Sequence, residues 1–121
     1  GFEGEQLAFL RVFYTNGVAL PCGGTGLYRT ACRANHSCAP NAALCVQADG
    51  RIHLKALRPI AEGEEVSVSY IGEGELLRPT SRRQKLLSKW GFACQCPRCQ
   101  GHDDARGFTC SSCGSGTVHP H

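Results

Sequence analysis

The 121-residue chain has room for one domain, or one domain with a small appendage. A net charge of +3 demands no nucleic-acid partner, and no stretch is apolar for long enough to cross a membrane or reads as a secretory leader. Nine cysteines, an odd count with five of them between Cys94 and Cys113, argue against a secreted disulfide scaffold and for a metal held in a reducing compartment, nuclear or cytoplasmic.

Residues 1–14 read as a short helix with Leu7, Leu10 and Tyr14 on one face at spacings of three and four. Thr15-Asn16-Gly17 ends it, Gly17 being able to take the left-handed conformation that helix C-termini often use. Val18–Leu20 is a brief apolar run, and Pro21-Cys22-Gly23-Gly24-Thr25-Gly26 is a turn. Its glycines lack the Gly-Lys-Ser/Thr ending of a phosphate loop, so no nucleotide site is read there. Thr30–Ala34 is a helical or extended approach to a polar stretch. After it, Ala42–Ala48 and Arg51–Leu57 flank Asp49-Gly50, a strong hairpin signal. In the second strand Ile52, Leu54 and Ala56 alternate with Arg51, His53 and Lys55, which predicts one buried and one wet face and leaves His53 on the surface. Val66–Ile71 reads as a further strand and residues 72–79 as a linker. Ser81 and Gln84 have capping-box spacing for a basic helix whose apolar stripe is Leu86, Leu87 and Trp90. The cations Arg78, Arg82, Arg83, Lys85 and Lys89 read as a solvated face rather than a nucleic-acid contact. From Phe92 onward there is little periodicity, and order is expected to depend on metal.

Three runs carry the chemistry. Asn35-His36-Ser37-Cys38-Ala39-Pro40-Asn41 is too polar for a core strand, and Pro40 bars it from a central ladder. Taken alone it is ordinary turn sequence, since Asn, Ser and Pro are common turn residues. Glu64-Glu65-Val66-Ser67-Val68-Ser69-Tyr70 ends a strand on a tyrosine. Cys94-Gln95-Cys96-Pro97-Arg98-Cys99 places three thiols at metal-ligand spacing, one short of a closed zinc site. Cys110 and Cys113 form a second CxxC, to be completed either by His119 and His121 or by residues beyond position 121. A Cys38 nucleophile with His36 as its base is the competing chemistry for the first run.

Together these runs resemble the C-terminal half of a SET-domain protein methyltransferase with its post-SET zinc site, the SET-and-MYND branch being the nearest. The resemblance covers roughly residues 14–113 and is dense at the three runs. It implies a mainly β fold with short helices: small antiparallel sheets, a pseudoknot made by the Asn35–Asn41 run and the Tyr70 segment, and a zinc-bound tail. On that pattern residues 1–16 end a helical insert, 17–77 are the C-terminal half of the SET domain, 78–101 are the post-SET helix and zinc site, and 102–121 are an incomplete second zinc knuckle.

The resemblance also implies roles. Cys38 completes the zinc site of Cys94, Cys96 and Cys99, which takes it out of nucleophilic chemistry, and Cys110 with Cys113 is similar to the start of a second knuckle. Asn35 and His36 hold S-adenosylmethionine, Phe92 and Trp90 cover its adenine, and Asn16 is a further contact, although the family's Asn-Ser-Phe run departs here to Asn16-Gly17. Tyr70 is the catalytic tyrosine, orienting a lysine amine of a histone or another protein for methyl transfer; no nucleic-acid or membrane partner is implied. The Gly-x-Gly half that opens a complete SET domain is not found, since Gly24-Thr25-Gly26 is misplaced for it, so the chain is expected to be incomplete as an enzyme. The alternative is a non-catalytic zinc-binding interaction module built on a SET remnant.

Overall fold

A computed structural model describes residues 2–119 as two compact units. One is the chain up to Asn35 with Pro40–Val68; the other is His36–Ala39 with the chain from Ser69 onward. The small sheets and mostly short helices expected from the sequence are present in both. No described helix is long and apolar enough to cross a membrane.

In the first unit α1 spans Phe2–Asn16. Its apolar face is open rather than buried, with Leu7, Leu10 and Tyr14 58%, 45% and 82% exposed. Helical spacing marks a stripe for burial but cannot supply the surface that covers it. The helix ends through Gly17 N–H, which reaches Phe13 O at 2.8 Å. Gly17 is not among the glycines with positive φ; space demands it, because a Cβ would lie 2.5 Å from Thr25 Cγ2 and 2.6 Å from Phe13 O. The glycine turn is the tip of a hairpin between β1 (Val18–Ala19) and β2 (Thr25–Gly26).

Past β3 (Asn35–His36), β4 (Ala42–Val46) and β5 (Ile52–Ala56) form the expected hairpin, with Ala42 opposite Ala56 and Val46 opposite Ile52. Its turn is wider than Asp49-Gly50 alone: Gly50 N–H reaches Gln47 O at 3.0 Å and Gln47 N–H reaches Arg51 O at 2.7 Å. The face of β5 predicted to be buried is not, for Leu54 is 41% exposed. β5 belongs to a two-stranded ribbon, which has no second layer of its own to cover that face.

The strand predicted at residues 66–71 is only β6 (Ser67–Val68). Beyond it Ser69 Oγ accepts Ile71 N–H at 3.3 Å and donates to Ile71 O at 2.7 Å, a local loop that competes with a ladder. β6 is tied to β4 by Asn41, which is 2% exposed. Its Nδ2 donates to Glu65 O at 2.8 Å and Glu64 Oε1 at 3.1 Å, and its Oδ1 accepts Ser67 N–H at 2.8 Å. Arg58 pairs with the same Glu64 and, through its hydrogen bond, pulls that carboxyl down to about 2. Asn41→Ala strands one donor and one acceptor, and is expected to cost about 3 kcal/mol. Hydrogen exchange at the Ser67 amide under mild denaturant reads this directly; unchanged protection would show that water replaces the amide.

The second unit holds α2 (Glu73–Leu76), α3 (Thr80–Leu87), α4 (Pro97–Gln100), β7 (Phe108–Thr109) and β8 (Thr117–Val118). Its buried cluster is Cys38, Ile71, Leu87 and Cys94, with Leu86 and Trp90 packed on it, so the predicted stripe of α3 does face a core. The presumed linker at 72–79 contains α2, whose Glu75 lies 3.6 Å from Arg82. The capping box does not form. Pro79 occupies the N-cap, Asp103 Oδ2 accepts Thr80 N–H at 2.8 Å, and Gln84 turns elsewhere. Arg83 is not part of a solvated face either; it is fully buried.

Candidate metal centre and active site

The Cys96-Pro97-Arg98-Cys99 run closes on itself because Pro97 starts α4 with its φ already helical and no N–H to satisfy. Cys99 N–H then reaches Cys96 O at 2.9 Å, and one helical turn brings the two side chains together. Cys94 is held from the other side by Gln84, whose Nε2 donates to Cys94 O and whose Oε1 accepts Cys94 N–H, both at 2.8 Å. Arg98 Nη1 donates to Cys38 O at 2.9 Å and fixes the fourth cysteine.

The result is one cluster. The sulfurs of Cys38, Cys94, Cys96 and Cys99 all lie within 4.8 Å of one another, and Cys38 and Cys99 are 3.5 Å apart. Tetrahedral zinc with Zn–S bonds of about 2.3 Å separates its sulfurs by about 3.8 Å, so the cluster fits the ion. Four sulfur donors also select zinc over the hard cations that prefer oxygen. Burial pushes Cys38 and Cys94 up and Cys99 to about 11. Burial opposes ionisation of Cys96 too, yet backbone N–H groups of Cys99 and Cys38 hold it at about 6. A bound divalent cation would favour the thiolate form of all four together.

Cys110 and Cys113 sit on the β7–β8 hairpin, where Cys110 N–H reaches Gly116 O at 2.7 Å. Gly116 N–H points at Cys113 Sγ at 3.3 Å, and backbone N–H groups of Ser115 and Gly116 draw that thiol down to about 7. Among the described residues no third ligand atom gathers with this pair. His119 stacks on His102 instead, ring centroids 5.2 Å apart, and His121 lies outside the described residues.

Beside the four cysteines is a group of rings. His36 and Tyr70 have centroids 5.4 Å apart, Tyr70 and Trp90 5.5 Å, His36 and Phe92 6.1 Å, and Tyr70 and Phe92 6.3 Å. Phe92 is 37% exposed and borders an open depression of about 540 Å³ lined also by Gln84, Ser88, Gly91 and Ala93. Lys89 Nζ lies 4.0 Å over the Trp90 ring. Burial, aided by the charge of Arg83, lowers His36 to about 4, so its imidazole is neutral near pH 7. Tyr70 N–H donates to His36 Nδ1 at 3.0 Å, which leaves the ring proton on Nε2, 3.3 Å from Cys38 Sγ. Both ring nitrogens are therefore engaged inside this unit, and the imidazole has no edge left for adenine.

Asn35 and Asn16 belong to the other unit. Asn35 Nδ2 donates to Glu65 Oε1 at 2.7 Å, and Asn16 Nδ2 donates to Val12 O at 3.0 Å within α1. Sequence reasoning missed Gln84, Asp103, Arg98 and Arg83. For Arg83 a signal existed: it precedes Leu86, Leu87 and Trp90 by three, four and seven residues, which puts it on the apolar stripe.

Residues 11–71, half of the chain, match the model of the SET domain family. The chain is 38% identical over 79 residues to a SET and MYND domain-containing protein of Dictyostelium discoideum, covering 65% of this chain and 22% of that protein. It is 43% identical over 81 residues to the histone-lysine N-methyltransferase ATXR2 of Arabidopsis thaliana, covering 64% of this chain and 16% of that protein. With the Homo sapiens protein-lysine N-trimethyltransferase SMYD5 it shares 34% identity over 113 residues, 87% of this chain and 27% of the relative. The chain thus spans roughly a quarter or less of the length of these relatives.

Proposed function

The chain belongs to the SET domain family, and on that premise we propose that it is part of an S-adenosylmethionine-dependent protein-lysine N-methyltransferase. The observation that carries the reading is Tyr70 in the ring group of His36, Trp90 and Phe92, all in the unit that holds the four-cysteine cluster. S-adenosylmethionine supplies a sulfonium-bound methyl that an uncharged amine can displace in line. The phenol of Tyr70 aligns a lysine amine, a contribution of placement and oxygen dipole rather than proton transfer. Phe92 and Trp90 offer ring faces to the adenine and keep water from the site, and His36 contributes through its backbone. A lysine brought into such a dry site near a positive group has its pKa lowered, which favours the reactive neutral amine.

Zinc would be held by Cys38, Cys94, Cys96 and Cys99 as a closed structural site that secures the segment around Tyr70. Cys110 and Cys113 are the first half of a second knuckle. The acceptor is a lysine of a histone or another protein, and the setting is nuclear or cytoplasmic, in keeping with relatives named for lysine methyl transfer.

Calorimetric titration of S-adenosylmethionine into the zinc-loaded protein carrying this chain is the test. Saturable binding is expected, weakened about tenfold or more by Phe92→Ala, since stacking a base on an aromatic ring is worth about 1–3 kcal/mol. Zinc binding without any affinity for the cofactor would instead favour a non-catalytic interaction module.

A further inference from the structure

Arg83 is 0% exposed, the only cation of its run to be buried. Its Nη1 donates to Arg78 O at 2.5 Å and its Nη2 to Thr80 Oγ1 at 2.9 Å, while Nε has no partner among the described residues. A buried guanidinium is strongly disfavoured unless opposite charge stands close. Asp103 is an incomplete answer: its Oδ1 is 3.9 Å from Nη1, beyond hydrogen-bond reach, and its Oδ2 is spent on Thr80 N–H. On the other side Nη2 lies 3.7 Å from Cys99 Sγ. Four thiolates around a divalent ion carry a net charge of about −2, buried in the same place.

We propose that Arg83 is the internal counter-ion of the four-cysteine metal centre, its N–H directed at Cys99 Sγ drawing charge from that thiolate and shielding it from electrophiles. The inference rests on Cys38, Cys94, Cys96 and Cys99 being zinc ligands. Asp103 has the opposite effect, offsetting part of the guanidinium charge. A thiolate that accepts such an N–H is a weaker nucleophile and a longer-lived ligand.

The test is zinc release from the zinc-loaded chain treated with iodoacetamide, followed with a chromogenic chelator. Each thiolate sulfur forms a bond to carbon as iodide leaves, and the ion is freed. Arg83→Met is expected to release zinc about tenfold faster, in line with other outer-sphere substitutions, and Arg83→Lys, which keeps the charge, near the unaltered rate. Asp103→Asn keeps an oxygen for Thr80 N–H and leaves Arg83 uncompensated, so release is expected to slow. A packing role predicts that both Arg83→Met and Asp103→Asn speed release, and that result overturns the proposal. If Arg83→Met cannot be loaded, the direction of the Asp103→Asn change decides alone. A chain that takes up no zinc at all fails before alkylation begins and overturns the metal reading itself.

Discussion

Cys96→Ser is expected to abolish stoichiometric zinc binding and to unfold the unit built from residues 36–39 and the chain beyond 69. The buried cluster of that unit is Cys38, Ile71, Leu87 and Cys94, so half of it consists of proposed zinc ligands and little apolar surface remains to hold the rest. Structural zinc supplies on the order of 10 kcal/mol, comparable to the whole net stability of a typical domain. Trp90, the only tryptophan, packs on this cluster and reports its loss. The measurement is Trp90 emission and far-ultraviolet dichroism of the variant, and of the unaltered chain after chelation. A red-shifted emission and lost helix signal are expected in both. Emission that stays put after the metal is gone would show that packing alone maintains the unit.

Tyr70→Phe is expected to lower methyl transfer by about 10²–10³-fold, the loss that follows removal of one well-placed polar group from a reacting centre. The contacts with His36, Trp90 and Phe92 are made between rings, and Tyr70 N–H is a backbone donor, so phenylalanine preserves both. Zinc content, Trp90 emission and cofactor affinity should therefore stay within about twofold while the rate falls. This separates the residue from Cys96, whose loss lowers everything together. A variant with an undiminished rate would reduce Tyr70 to a packing residue and sink the proposed role. Asn41→Ala gives a third pattern, a stability loss confined to the Asn41–Glu64–Ser67 network of the other unit.

Much of this was legible in the chain because it is local. CxCxxC spacing around Pro97 makes a one-turn clasp wherever it is placed, and Gly50 permits its hairpin turn through its own φ of 82°. The stripe Leu86, Leu87, Trp90 follows from helical period alone, and Cys38, Ile71 and Cys94 supply the core it faces. The capping box shows where such reasoning stops. Ser81 and Gln84 have the right spacing, but Asp103, more than twenty residues on, takes the helix N-terminus and frees Gln84 to clasp Cys94. Alternation along β5 and periodicity along α1 likewise mark faces without providing cover, and Leu54 and Tyr14 remain exposed.

By itself, then, the sequence determined the three runs that carry the candidate groups and the short loops that present them. Family resemblance added Cys38 to the three tail cysteines. Tertiary structure alone decided how those groups are paired: His36 with its proton on Nε2 between Tyr70 N–H and Cys38, Gln84 on Cys94, and Arg83 buried between Asp103 and Cys99. The physical reason is range. Backbone geometry fixes neighbours within about one helical turn, whereas a buried charge or a ring tautomer is set by partners that only the path of the whole chain brings within hydrogen-bond distance.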